Sequence, residues 1–384
     1  MVQLNPDQTA LVERVRALAA TSVAPFAAQV DEEGRFPSEA MAALSKDGFL
    51  GLTVPAESGG MGEGLRAAVA VLDELAQQCP STAMVYLMHL CGLACYNAAP
   101  KVTGELLRAA ARGEHLSTLA WSEAGSRSHF WAPVSQASAD DGHVTVDAQK
   151  SFVTSAGMAD GYVVSTRSAD AAGPMETTLY LVLKEDSGLR VDGAWRAMGM
   201  RGNGSAPMAL EAVKLPNARA LSAEGKGFDM MIGVVLPLFQ LGNAAISVGI
   251  CEAAVKATTD HLTGRRFEHL DSTLSSLPNL RARLAQMRIE TDRARAHLAA
   301  AVDAAEAGAP NAMLMVLESK AAASESALLV TDLGMRTCGG AAFSKHLGLE
   351  RQFRDARAMG VMAPTTDVLH DFIGRALCGL ELFG

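Results

Sequence analysis

Aromatic residues make up only 5% of this 384-residue chain, and charged residues only 20%. Hydrophobic residues reach 49%. A chain rich in Ala, Leu and Met but poor in aromatics suits packed helices better than sandwiches, because unbranched side chains lose little rotamer freedom in a helix. No block of Lys or Arg occurs; 33 basic against 42 acidic residues leave a net charge of −9. Displacing counterions from a nucleic acid takes a basic stripe, so DNA and RNA are excluded as partners. The six cysteines (Cys79, Cys91, Cys95, Cys251, Cys338, Cys378) lack metal-ligand spacing, and the nine histidines form no paired motif. No metal is expected, core thiols are the reading for Cys91 and Cys95, and the expected compartment is the reducing cytoplasm. The first residues carry no basic segment followed by an apolar one, so no signal peptide is read. No Gly-x-Gly-x-x-Gly follows a strand, which excludes a Rossmann nicotinamide site. One uncharged run lies between Asp229 and Glu252. Its Pro237, Gln240, Gly242, Asn243 and Ser247 make it a buried bundle helix, not a membrane span.

A length of 384 residues implies more than one domain. Residues 1–115 read as helices: Leu11, Val12, Val15 and Leu18 recur with helical spacing after Asp7-Gln8-Thr9, and Pro37-Ser38-Glu39 starts another helix ending near Gly48. A glycine-rich loop, Gly51 to Gly62, is either a turn between helices or the edge of a ligand entrance. From 116 to 222 the period changes. His143–Asp147, Thr178–Leu183, Met208–Leu210 and Val213–Leu215 alternate or run apolar between turn residues, which predicts a small antiparallel β-domain. From 223 to 384 helices return. Leu280, Leu284, Met287, Ala294 and Leu298 form the seam of a long bundle helix, and a second covers about 311–337.

Gly339-Gly340 opens the most informative stretch. It is followed by Arg354-Asp355-Ala356-Arg357 and by Val361-Met362-Ala363-Pro364-Thr365-Thr366 before Asp367. A glycine pair lets backbone approach a ligand; it serves equally as a helix–loop–helix joint. Thr365 and Asp367 stand at a helix start. Upstream lie Trp121-Ser122-Glu123-Ala124-Gly125-Ser126-Arg127-Ser128, Gln149-Lys150-Ser151-Phe152-Val153-Thr154, Met198-Gly199-Met200-Arg201-Gly202 and Gly225-Lys226-Gly227-Phe228.

In order and spacing these segments resemble the acyl-CoA dehydrogenase superfamily over nearly the whole chain. The resemblance implies a mainly α fold with a central β-domain: an N-terminal helical domain, a small antiparallel β-barrel or sandwich, and a C-terminal four-helix bundle. It implies FAD as cofactor, an acyl thioester as substrate, and a homodimer or homotetramer with no nucleic-acid or membrane partner. The cofactor residues it implies are Ser122, Ser128, Phe152, Thr154, Arg265, Gly339, Gly340, Thr365 and Asp367. Phe152 would pack beside the flavin, Thr154 would reach its N5, and Arg265 would cross to a neighbouring subunit. Three departures stand out. Arg127 replaces a glycine, Arg336 replaces a glutamine before the glycine pair, and Ala363 occupies the place of the catalytic glutamate. The alternative glutamate slot of some relatives falls near Phe239, beside Gln240. Replacement bases to consider are Asp367, His89 and Glu63, with Glu123 and His129 behind them; the polar-surface and core readings compete for each.

The function expected is therefore α,β-dehydrogenation of an acyl thioester, on coenzyme A or a carrier protein, with a non-standard base. The alternatives are a flavin oxidase, monooxygenase or leaving-group-eliminating enzyme on the same fold, or a non-catalytic flavoprotein. Chain length and electron acceptor are not written in the sequence.

Overall fold

Asn5 and Gln8 close a reciprocal capping box, so helix α1 (Pro6–Leu18) begins just ahead of its buried stripe Leu11, Val12, Val15 and Leu18. The computed structural model describes residues 2–127, 129–269 and 271–382. Helices α2 (Ala27–Glu33), α3 (Ser38–Lys46), α4 (Leu65–Gln78), α5 (Pro80–Ala98) and α6 (Pro100–Ala111) follow. Pro80 and Pro100 open α5 and α6, where a missing N–H costs nothing. Helix α5 is buried nearly all round, Cys91 and Cys95 included. The glycine-rich loop folds on itself: a side chain at Gly60 would collide with the backbone of Val54, and one at Gly51 with Ala111. It does not border the main cavity, so the entrance reading is corrected to a close-packed turn.

Seven strands follow: β1 (Ser117–Ala120), β2 (Ser138–Asp140), β3 (His143–Val153), β4 (Gly161–Arg167), β5 (Thr177–Leu183), β6 (Leu189–Val191) and β7 (Ala206–Pro216). They form two sheets, ordered β1-β4-β5 and β2-β3-β7-β6. Val146, Val164, Val182, Leu210 and Val213 belong to the apolar core that the two share. The expectation of an all-antiparallel domain is corrected at one pair, for β1 runs parallel to β4, with Ser117 opposite Gly161. The chain passes through β2 and β3 in the other sheet before returning, so β4 re-enters in the direction of β1.

Helix α7 (Gly227–Met230) leads through a π-turn at Met231–Val235 into α8 (Leu236–Gly264). Pro237 offers no N–H to the preceding turn, which accounts for the irregularity. The hairpin β8 (Arg266–Phe267) and β9 (Ser272–Thr273) precedes α9 (Pro278–Glu306), α10 (Ala312–Cys338), α11 (Gly340–Phe343), α12 (Leu349–Val361) and α13 (Thr366–Leu377). Met287, Ala294 and Leu298 are buried along the α9 seam. Helix α8 is long and apolar enough to cross a membrane, but 78% of that window is buried, packed against α4, α9 and α10. Arg295 of α9 ties its helix to two of these, pairing with Asp73 of α4 and with Glu252 of α8 at 2.9 Å.

Candidate active site

The three parts of the fold meet around a cavity of about 850 Å³, within the usual range of ligand pockets. Met84 and Met88 of α5 form one wall, Val235, Leu236 and Phe239 another, and the α12 face Arg354, Ala358 and Val361 a third. The π-turn sets the second wall, displacing Val235 and Leu236 relative to a regular helix. The β-domain closes the cavity with Trp121 to Ala124, with Ser151, Phe152 and Thr154, and with residues of the Trp195–Ser205 segment.

Phe152 owes its place to a bulge. The β3–β7 register shifts between Lys150 and Val153, and Phe152 takes a left-handed φ of 57°. A bulge re-aims a side chain, and here it leaves Phe152 67% exposed, its ring edge-on to Trp195 at 6.2 Å. Exposure of that size on a phenylalanine is a surface waiting for a flat partner. Thr154, two residues on, is buried and shares a 2.9 Å hydrogen bond with Ser205. Trp195 donates its indole N–H to Met200 O at 2.9 Å.

The Ser122 turn is anchored from below. Glu123 accepts hydrogen bonds from Lys150 Nζ at 2.6 Å, Ser135 Oγ at 2.5 Å, and the backbone N–H groups of Val134 and Ser135 at 2.6 and 2.8 Å. Burial by itself would raise the Glu123 pKa; the Lys150 ammonium and the Ser135 bonds outweigh it and hold the carboxyl below its ordinary range.

Ala363 lines the cavity, and no described residue accepts its N–H. The loop carrying it is gripped on both sides by Lys320 of α10, whose Nζ donates to Met362 O at 2.9 Å and Pro364 O at 2.6 Å. Burial pushes the Lys320 pKa down to about 7. The neighbouring Asp355 accepts the Met200 N–H at 2.6 Å, fixing the Met198–Gly202 segment, and burial pushes its pKa up to about 7. That segment lies so close to α12 that a side chain at Gly199 would collide with the Arg354 backbone.

None of the candidate bases stands in the cavity free to work. His89 is fully buried, donating Nε2–H to Leu50 O at 2.8 Å and accepting the Ser117 N–H at Nδ1, and burial holds its pKa down to about 4. It is a satisfied core residue. Glu63 accepts from Gln8 at 3.1 Å and lies outside the lining, as do exposed Asp367 and His129, which stacks on Trp131 at 4.9 Å. Glu123 reaches the lining but has its oxygens fully engaged. At the alternative slot Phe239 faces the cavity, and Gln240 is buried outside the lining. Phe239 and Ala363, the two positions at which the sequence resemblance leads one to expect a carboxylate, thus line the same cavity.

The remaining cofactor candidates lie elsewhere. Arg265 ends α8 beside a smaller polar pocket shared with Lys256, His261 and Arg351. Gly339 and Gly340 join α10 to α11, with no described residue near enough to meet a side chain there. Thr365 caps α13, accepting the Val368 N–H at 3.4 Å, and Asp367 occupies its first turn. Ser128 lies outside the described residues. Sequence reasoning missed Met84, Met88, Trp195 and Arg357 in the lining. Met84 and Met88 carry the same helical spacing as their packed neighbours in α5, and Trp195 lies in an irregular stretch between β6 and β7, so no local signal separates them from core.

The lining fits a flavin. The exposed Phe152 shares the lining with Ser122, Ser151 and Thr154, so an aromatic face and hydroxyl-bearing residues border one space. A planar heteroaromatic ring with polar edges answers the bare apolar surface and the hydroxyl-bearing residues around it.

Comparison with known proteins agrees. Family models for the acyl-CoA dehydrogenase N-terminal, middle and C-terminal domains match residues 5–114, 118–213 and 225–378. The chain is 27% identical over 379 residues to "Probable acyl-CoA dehydrogenase FadE25" of Mycobacterium tuberculosis, covering 98% of this chain and 97% of that one. It is likewise 27% identical to cyclohex-1-ene-1-carbonyl-CoA dehydrogenase of Geobacter metallireducens, covering 98% and 99%. The fold superposes on butyryl-CoA dehydrogenase of Megasphaera elsdenii with a TM-score of 0.92 at 22% identity, covering 98% and 100% of the two chains. Three consecutive domain matches over a fold and cavity of this design make the chain a member of the acyl-CoA dehydrogenase family, the FAD-dependent oxidoreductases of CH–CH donors.

Proposed function

We propose that the protein oxidises an acyl thioester at its α,β-bond without a carboxylate base at either usual position. The observation that carries this reading is that Ala363 lines the cavity with no described acceptor for its N–H, on a loop that Lys320 holds at the carbonyls on either side. Bound FAD supplies a hydride-accepting ring. Phe152 and Trp195 would pack against it and Thr154 would orient it. The Ala363 N–H polarises the thioester carbonyl and acidifies the α-carbon, an electrostatic contribution of about 3–4 kcal/mol for a donor of this kind. The apolar walls of Met84, Met88, Leu236 and Phe239 exclude water from the acyl chain.

The α-proton would then pass to water at the open side of the cavity beside exposed Phe152, while the β-hydrogen leaves as hydride to the flavin, so the site favours substrates whose α-proton is already acidic. It equally suits a second reading, a flavin oxidase, a monooxygenase or an elimination, because the one carboxylate in the lining is spent on Lys150 and Ser135. Anaerobic titration decides between them. Bleaching of the bound flavin by members of an acyl-CoA panel is the expected result. Oxygen consumption coupled to NAD(P)H with no bleaching by any thioester would transfer the assignment to the second reading.

We also infer a homodimer or homotetramer, in the cytoplasm. Arg265, Gly339 and Gly340 lie outside the cavity that holds Phe152 and Thr154, so they reach a cofactor only if a second copy brings one. Equilibrium sedimentation of the flavin-loaded protein is expected to give at least a dimer mass; a flavin-replete monomer refutes the shared site.

A further inference from the structure

Four charged side chains line the cavity: Glu123, Arg127, Arg354 and Arg357. Two are neutralised within the fold. Glu123 is held by Lys150, and Arg354 pairs with Asp31 at 2.5 Å and Glu350 at 2.7 Å. Among the described residues Arg127 and Arg357 have no carboxylate partner, so the lining carries a net positive charge. Arg357 rests over the Phe353 ring at 4.6 Å. Arg127 has no such support.

Arg127 also occupies a backbone conformation made for glycine, with φ 54° and ψ −129°. A side chain there costs about 1–3 kcal/mol, and strain of that size persists where it serves a site. Arg127 is exposed where it lines the cavity, so its guanidinium is open to a ligand there. The residue stands on the turn that also presents Ser122 to the cavity, and that turn is fixed by the Glu123–Lys150 pair. A planar guanidinium with five donors matches a phosphate group bidentately, better than a point cation does.

We propose that Arg127 is a phosphate-binding residue of this cavity, gripping either the diphosphate of FAD or a phosphate of the thioester's coenzyme A handle. The assignment rests on the functional reading above only for the identity of those two ligands.

The test uses the full-length protein and three variants. Arg127→Gly removes the guanidinium and relieves the backbone, Arg127→Gln removes the charge alone, and Arg127→Lys keeps the charge without the fork. FAD affinity of the flavin-stripped protein is read by fluorescence quenching. Coenzyme A affinity of the loaded protein is read by calorimetry, beside the phosphate-free thioester S-butyryl-N-acetylcysteamine. We expect Arg127→Gly and Arg127→Gln to weaken one phosphate ligand at least about tenfold, the change that corresponds to ~1.4 kcal/mol, and Arg127→Lys to fall between. The phosphate-free thioester should be unaffected. A loss confined to FAD assigns the guanidinium to the diphosphate; a loss confined to coenzyme A assigns it to the handle. The thermal midpoint of Arg127→Gly should match or exceed that of the wild type, since glycine takes this conformation without strain. Affinities for FAD and coenzyme A within twofold of wild type in both neutral variants overturn the assignment, whatever the midpoints do. A wild-type protein that binds both ligands but is reduced by no acyl-CoA overturns the dehydrogenase reading and leaves Arg127 standing; one that binds neither overturns both.

Discussion

An Ala363→Glu variant gains anaerobic flavin reduction by acyl-CoA of about 10²–10⁴-fold over the wild type, the usual contribution of a positioned general base. The substitution places a carboxylate on a residue that already fronts the cavity, opposite apolar walls. Desolvation there raises the pKa of a carboxylate, toward the range in which it abstracts protons well. The N–H of residue 363 is kept, so polarisation of the carbonyl and proton abstraction act on the same carbon. Rates should climb with pH through the new group's pKa, a dependence that the wild type lacks. Stopped-flow absorbance with a saturating acyl-CoA measures it. Bound substrate with no gain in reduction rate would sink the dehydrogenase reading and leave a cavity turned to chemistry in which no α-proton is removed.

Replacing Glu123 by Gln costs about 3–5 kcal/mol of stability, because it strands the Lys150 ammonium in a fully buried site. Four hydrogen bonds onto the carboxylate link the Ser122 turn, the Val134–Ser135 backbone and β3, so the loss loosens the cavity floor as well. The folded carboxyl lies below its ordinary value of 4.5. Its contribution is therefore fully present above that value and lost as pH falls through the lower folded one. Urea midpoints of wild type and Glu123→Gln should differ most near neutrality and converge in acid. Adding Lys150→Met to Glu123→Gln removes the stranded charge and should recover a large part of the deficit. A single variant as stable as the wild type at pH 7 would show that the pair holds nothing in place.

Much of this architecture is legible in the residues. The stripe of α1, the seam of α9 and the uncharged core of α8 announce themselves by period. The strand β1 does not: four residues, buried without alternation, give no pattern to read, and its parallel partner lies more than forty positions away. The site divides in the same way. Motif order brings Ser122, Phe152, Thr154 and Ala363 to mind together, and they line one cavity. The outward turn of Phe152 depends on a register shift against β7, which no local pattern encodes. Candidate bases fared worst. His89, Glu63 and Asp367 are distinguished from a working base by what surrounds them in space: two hydrogen-bond partners, a glutamine neighbour, and open solvent.

Lys320 grasps the carbonyl oxygens of residues 362 and 364 and leaves the side chain between them out of the fastening. Architecture and reactivity are thus assigned to different atoms of one short loop. A side chain at that place can be exchanged without first redesigning the scaffold.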